Sequence, residues 1–314
     1  MKSSIAISYT TYNRPQILKN NIFIILPVLI KYNIPLYISD DSSNNDTENL
    51  IFEIKNIYNN IFYNRNTIRL GHDLNFFKAI TTPKEDYVWY LGDSIYFHVN
   101  KFELIYNNLN SNFDLIFINS IHPNTNIYEV TNKKDFFINS IWYLTLSGSC
   151  IYGRNSRMFN VNTINISEWS NFVQLGQIIN YSLNNKVKLL WIGEPIINSN
   201  NNKKSYWQKN ILEVFIFDWY NFIFYFNNFF NNDEIIKIIK SHAIKKKLFT
   251  LKSIIYIRSL NGLRTKDINK YYHELKIASN FNIFLLYLFS VIPSMFYKII
   301  YYIHKKSKYS CTII

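Results

Sequence analysis

Residues 86–94 read Asp-Tyr-Val-Trp-Tyr-Leu-Gly-Asp-Ser. Tyr87–Leu91 has the aromatic and β-branched content of a buried strand, and it runs straight into a lone carboxylate, Asp93. An earlier apolar stretch, Pro35-Leu-Tyr-Ile-Ser, ends the same way on Asp40-Asp41. An ionised carboxylate is a pure acceptor, and at a strand tip it stands where a cation carried by a phosphate ligand can be gripped.

The flanking sequence places both strands in a regular alternation. Ile5-Ala-Ile-Ser-Tyr predicts a first strand, and Tyr12-Asn13-Arg14-Pro15 a turn whose proline opens a helix over 16–32. After the second strand, Ser42–Thr47 is loop chemistry whose last residues can cap a helix over 48–58. Ile61-Phe-Tyr-Asn-Arg predicts a third strand, then a helix near 73–81, strand four at 87–91, a helix over 100–110 and strand five at 114–119. Strands alternating with helices predict an α/β fold with a parallel, doubly wound sheet. In such sheets ligands bind beyond the carboxyl ends of the strands, where the strand order reverses. Asp40, Asp41 and Asp93 all fall at those ends.

Composition narrows the class further. A chain of 314 residues with 48% apolar side chains can build a large core, or one domain and an appendage. The net charge of +13 is uneven: residues 1–236 hold 19 basic and 19 acidic groups, and residues 237–314 hold 15 basic groups against Asp267 and Glu274. A neutral body with a cationic tail points to a polyanionic partner for the tail. Cys150 and Cys311 are too few for a disulfide framework or a metal knuckle, and His72, His98 and His122 lack ligand spacing. The start, Met1-Lys-Ser-Ser-Ile-Ala-Ile-Ser-Tyr, alternates like a strand and has no continuous apolar signal core, which gives a cytoplasmic expectation.

Two further features shape the expected site. The Thr10–Pro15 turn, with Thr10, Tyr12 and Arg14, suits a ring or a phosphate at a strand-to-helix junction. Asp40 or Asp41 can accept from the imide N–H of uracil or from ribose hydroxyls, and Asp93 is the metal candidate, with capping of the following helix as its structural rival.

Together these elements resemble the family-2 glycosyltransferases of GT-A fold. Ile5–Pro15 (IAISYTTYNRP) resembles the family's first-strand motif, and Leu36–Thr47 (LYISDDSSNNDT) its acidic second-strand segment. Asn66–Ala79 (NTIRLGHDLNFFKA) resembles the following Asn/Gly region, with Gly71 and Asn75 in register. Tyr87–Tyr96 (YVWYLGDSIY) stands in the place of the metal-binding D-x-D. The resemblance implies a mostly parallel GT-A sheet flanked by helices, with a helical C-terminal appendage. It also implies a nucleotide-sugar donor, UDP-linked by family habit, and Mn²⁺ or Mg²⁺. One departure matters: the aspartate cluster is reduced to Gly92-Asp93-Ser94, so Asp93 alone is carried over as ligand, with Gly92 and Ser94 beside it.

An inverting displacement, which the family implies, needs a carboxylate base on the acceptor hydroxyl. Leu146–Ser149 resembles the small-residue loop beneath the donor sugar. Beyond it, Glu168 is the single acid between Asp135 and Glu194, which makes Glu168 the base candidate and Glu194 the runner-up. The polar run Asn198–Trp207 resembles a closing loop in which Lys203, Lys204 and Trp207 can meet diphosphate and acceptor. The expected division is a catalytic domain over 1–209, with a nucleotide-sugar half to 100 and an acceptor half after it, followed by a basic, aromatic region over 210–314.

That last region suggests location. Residues 210–230 are expected to bury an aromatic face against the catalytic domain. Ile283–Tyr297 carries no charge but is too short for a span and contains Pro293. Short apolar runs flanked by lysines fit an interfacial helix on an anionic leaflet, with a core helix or a true span as alternatives. The expected activity is thus transfer of a sugar to a saccharide or lipid-linked saccharide acceptor in bacterial surface glycan synthesis (capsule, lipooligosaccharide, O-antigen or a glycan branch), at the inner face of the cytoplasmic membrane. Three rivals are weighed. A basic-tail nucleic-acid binder lacks a motif or a basic stripe in the body. A nucleotidyltransferase wants a glycine-rich loop after strand one, and Tyr9–Pro15 has no glycine. A non-catalytic homologue scaffolding glycan assembly would suit the thinned metal motif.

Overall fold

The computed structural model describes residues 3–109, 112–120, 125–160, 166–200, 207 and 210–307, with side chains to 303. The chain forms two compact units, Met1–Lys203 and Lys204–Ile314.

The first unit opens with β1 (Ile5–Thr11), α1 (Pro15–Tyr32), β2 (Leu36–Asp40), α2 (Asp46–Lys55) and β3 (Ile61–Arg65). It continues with α3 (Gly71–Thr81), β4 (Tyr87–Gly92), β5 (Ile95–Phe97), α4 (Phe102–Asn108), β6 (Leu115–Ile118) and β7 (Ile127–Glu129). It closes with α5 (Lys133–Ser140), β8 (Cys150–Gly153), α6 (Arg154–Met158), α7 (Val173–Asn184), β9 (Leu189–Ile192) and β10 (Ile197–Ser199). Eight strands form one sheet in the order β3-β2-β1-β4-β8-β6-β9-β7, and β5 pairs with β10 in a separate ribbon.

The half β3-β2-β1-β4 is wholly parallel, as the alternation predicts. The other half is mixed: β8 runs antiparallel to both β4 and β6, β6 is parallel to β9, and β7 is antiparallel to β9. Strand five of the sequence reading, now β6, is therefore separated from β4 by the later β8. The chain steps outward from β1 to β2 to β3 and then crosses back to β4 on the other side of β1. That reversal creates the switch point at the β1/β4 junction.

Local sequence explains the borders. Pro15 sits in the first turn of α1, and Asn33 ends it in the left-handed conformation. Pro27 lies inside α1 without ending it. Its cost, about 3 kcal/mol, is offset by the face that buries Leu18, Ile22, Ile25 and Leu29. The second helix starts two residues earlier than the loop chemistry suggests. No Asn45 side-chain bond caps it, and Asp46 and Glu48 in its first turn face the positive helix end instead. Beneath the sheet tips, Trp89 is fully buried, stacks on Phe97 at 4.7 Å, and donates its indole N–H to the Gly148 carbonyl at 2.7 Å.

The second unit is helical. A π-helical turn at Glu213–Asp218 runs into α8 (Trp219–Tyr225). Then come α9 (Asn232–Lys245), α10 (Leu251–Ser259), α11 (Thr265–Lys270), α12 (Tyr272–Ala278), α13 (Ile283–Val291) and α14 (Ser294–Ser307). Asn231 and Glu234 form a reciprocal capping box at the start of α9, and Thr250 caps α10. Trp219 of α8 is buried and stacks on His242 of α9 at 4.3 Å.

Candidate active site

The site is built where β2, β1 and β4 end side by side. Thr11 stands opposite Asp40, and Thr10 opposite Gly92. The last two carbonyls of β1 hold both acidic tips: Asp41 N–H donates to Thr11 O at 3.0 Å, and Asp93 N–H donates to Thr10 O at 3.1 Å. The three carboxylates thus belong to one cluster of neighbouring strand ends, not to separate faces.

Their surroundings give them different tasks. Asp40 is fully buried, and each of its oxygens already accepts a bond, from Ser42 N–H at 2.8 Å and from the Tyr63 hydroxyl at 2.8 Å. In this conformation Asp40 has no accessible surface. It shapes the β2 tip. Asp41 accepts from Asn66 Nδ2 (2.5 Å), Leu70 N–H (3.2 Å) and Gly71 N–H (2.8 Å), and is buried with 6% of its surface accessible. Gly71 is required there: its φ of +75° is the left-handed conformation that lets the chain turn its N–H back to Asp41 at the start of α3. Asn75 is buried and ties Ser39 to Asn66, so it supports the Asp41 loop from below and does not face a ligand.

Asp93 lies 3.5 Å from Arg14 Nη1 through Oδ1 and 3.5 Å from Thr11 Oγ1 through Oδ2. Its main-chain carbonyl accepts from the Asn21 amide at 2.7 Å, a fully buried group on α1. The neighbouring Ser94 is fully buried and its carbonyl accepts from Asn200 N–H at 2.8 Å. Its side chain lies within the packing. Gly92 is half-buried against Ser147. Tyr90 hydrogen-bonds Thr10 Oγ1 at 3.1 Å and the Ser147 side chain, and burial pushes its phenol up to about 12. Tyr9 donates to Ile95 O, and burial, then the Asp93 charge, holds its hydroxyl protonated. Both phenols stay protonated at neutral pH.

A divalent cation can be tested against this donor set. Among the described residues no group of three or more His, Cys, Asp or Glu side chains could cage a metal. A single carboxylate fits a hard ion whose remaining ligands are diphosphate oxygens and water. Arg14 beside it adds a second, permanent positive charge facing the same place.

The remaining candidates are more dispersed. Glu168 is exposed on the short turn Ile166–Trp169 just before α7, where Trp169 packs on Gly176. Glu194, after β9, is ion-paired with Lys101 at 2.5 Å and only partly exposed, so its carboxylate is already engaged. Trp207 belongs to the second unit and packs edge-on to Phe215 at 5.1 Å, while Lys203 and Lys204 lie outside the described residues. Two participants escaped the sequence reading. The Arg69 guanidinium lies 4.2 Å from the ring centre of exposed Tyr12, in the segment already singled out for Gly71 and Asn75. Asn21 is a polar residue on the apolar face of α1, a signal visible in the pattern Leu18, Asn21, Ile22, Ile25.

The family model for glycosyl transferase family 2 matches residues 7–173, just over half of the chain, and takes in β1 to the start of α7. The chain belongs to this family. Among curated proteins it is similar to abequosyltransferase RfbV of Salmonella typhimurium, 29% identical over 100 residues, which are 32% of this chain and 30% of that protein. The match thus spans under a third of that relative's length. Among solved structures it is similar to residues 1–349 of Staphylococcus aureus TarS in complex with UDP. That match has a TM-score of 0.54 and 14% identity, over 99% of this chain and 94% of that one. It is also similar to the mannosyltransferase PcManGT of Pyrobaculum calidifontis in complex with GDP-Man and Mn²⁺. There the TM-score is 0.51 and the identity 8%, over 88% and 85% of the two chains. At these identities the structures establish the shared fold.

Proposed function

We propose that this family member is an inverting glycosyltransferase. It would move a sugar from a UDP-linked donor to a saccharide acceptor, free or lipid-linked, in bacterial surface glycan synthesis. The observation that carries the reading is the joint anchoring of Asp41 and Asp93 on the last two carbonyls of β1, at the switch point of the sheet. Support comes from the relatives' own descriptions, an abequosyltransferase and a TarS structure holding UDP.

Asp41, with 6% of its surface accessible, would accept from a base or ribose donor. Tyr12 with Arg69 over it offers a ring surface for the base, and Thr10 and Arg14 line the path toward the diphosphate. Asp93 would hold Mn²⁺ or Mg²⁺ arriving with the nucleotide, and that ion supplies positive charge to the leaving diphosphate. Glu168, exposed on the turn before α7, is assigned as the base that takes the acceptor hydroxyl proton. The site faces the cytoplasm, where nucleotide-sugars are available, and acts at the membrane that carries lipid-linked acceptors.

A thermal-shift screen of nucleoside diphosphates and nucleotide-sugars, with and without Mn²⁺ or Mg²⁺, tests the assignment. UDP with metal at about a hundredfold over its Kd should stabilise the wild type by about 2.7 kcal/mol. Asp93→Ala should lose the metal-dependent part and keep its far-ultraviolet circular dichroism. If no nucleotide shifts the wild type, the catalytic reading fails and a non-catalytic member of the family remains. If Asp93→Ala responds like wild type, Asp93 leaves the mechanism.

A further inference from the structure

The last two helices of the second unit leave an apolar surface uncovered. Val291, Met295, Phe296 and Ile303 are 68%, 62%, 52% and 61% exposed, and Phe284, Leu288 and Ile299 are exposed as well. On α13 the exposed positions 284, 288 and 291 recur at helical spacing, and on α14 so do 295, 299 and 303. The opposite side of α14 is packed: Tyr297 is buried, and Tyr301 meets Tyr256 of α10 with ring centres 5.4 Å apart.

The two helices meet at about 90° around Pro293, and neither alone is long and apolar enough to cross a membrane. The bend is built into the structure. Arg258 of α10, itself buried, donates to the Ser290 carbonyl at 3.0 Å and the Ile292 carbonyl at 2.6 Å, at the break where α13 ends. Its other nitrogen holds Gly262 O and Leu263 O, its guanidinium lies 5.4 Å from the Tyr297 ring centre, and Tyr297 donates to Phe289 O at 3.0 Å. Straightening the pair into a span would pull Ser290 O and Ile292 O away from Arg258 and leave a buried guanidinium without two of its acceptors.

Charge identifies what covers this surface. After Glu274 the chain has no acidic residue, and it carries Lys276, Lys298, Lys305, Lys306 and Lys308. A second copy would bring a like-charged end against this one, whereas an anionic leaflet offers hydrocarbon to the exposed stripe and headgroups to the lysines. We propose that the α13–α14 elbow is an in-plane membrane anchor: it lies on an anionic bilayer with Val291, Met295, Phe296, Ile299 and Ile303 at the acyl boundary, and does not cross it. This rests on the second unit alone, so it stands or falls independently of the sugar-transfer assignment.

The test is flotation of the full chain with vesicles of phosphatidylcholine alone or mixed with phosphatidylglycerol, alongside light scattering without lipid. Wild type should float with the anionic vesicles and not with the neutral ones. The variant Met295→Asp/Phe296→Asp should lose roughly tenfold in bound fraction. These side chains are exposed, so its helix content and melting should match wild type. Lys298→Glu/Lys305→Glu/Lys306→Glu should weaken binding to anionic vesicles with the apolar stripe intact. Three outcomes overturn the proposal. One is equal flotation of the aspartate variant. Another is a lipid-free dimer that needs Met295 and Phe296 and ignores vesicles. The third is a C-terminal end shielded from external protease by sealed vesicles, which would make the pair a span.

Discussion

At the scale of single residues, the candidate site separates groups that face a ligand from groups that hold them in place. Asp40 and Ser94 carry the motif in sequence but have no accessible surface, while Asp41 and Asp93, also buried, keep 6% and 7% of theirs. Sequence patterns show which strand tips are acidic, because a polar residue ending an apolar run stands out. They do not show how the two adjacent carboxylates are held, since Tyr63, which bonds Asp40, and Asn66 and the Gly71 N–H, which bond Asp41, arrive from three other elements. Asn21 was legible as a polar interruption in an apolar helix face, but its partner, the Asp93 carbonyl 72 positions away, was not. The proposed base, Glu168, is the residue whose role is easiest to isolate. Glu168 is exposed and ends no strand, so Glu168→Gln should leave folding and UDP binding as in wild type. Transfer to the acceptor should fall by about 10²–10⁴, the usual contribution of a positioned general base. Single-turnover rates beside UDP affinity decide it: wild-type transfer by the variant would move the base elsewhere.

Elements position the site through contacts that no local pattern encodes. The parallel half of the sheet follows from alternating runs, each long enough to declare its period. The strands β8 and β9 have four residues each and sit among aromatic helices, so their apolar runs do not distinguish strand from buried helix. Yet β8 determines where the Leu146–Ser149 loop lands. Gly148 is the hinge of that placement. Its φ is +93°, and a Cβ there would stand 2.8 Å from Leu91 Cδ2 and 3.2 Å from Ile95 Cγ2. Its carbonyl meanwhile takes the Trp89 indole N–H. Gly148→Ala should therefore cost about 1–3 kcal/mol and push Ser147 away from Tyr90. The expected readout is a lower urea midpoint together with weaker donor binding. A variant as stable as wild type, with unchanged donor affinity, would show that the loop is not held by this contact.

At the scale of the whole molecule, two units of different chemistry share one chain. The charge asymmetry was legible by counting, since the entire +13 lies beyond residue 236. The Pro293 break was visible, but its angle and the arginine that fixes it depend on α10 and were not. The same unit contains a titration that local sequence hides. His242 is fully buried against Trp219, with Phe215 at 6.0 Å, and neither ring nitrogen has a hydrogen-bond partner. Burial, and secondarily the charge of Lys246, pushes its pKa well below the ordinary histidine value. The folded unit therefore keeps His242 neutral, while the unfolded chain takes up a proton below about pH 6.5. The sign follows: no penalty exists above that pH, and below it unfolding gains a proton, up to about 1.4 kcal/mol of stability lost per pH unit. Hydrogen exchange across α8 and α9 should show protection falling between pH 7 and pH 5 in wild type. His242→Phe keeps the stacked ring and removes the titration, so its protection, corrected for intrinsic exchange, should fall less over the same range. Parallel curves for the two proteins would place the acid sensitivity of this unit in other groups.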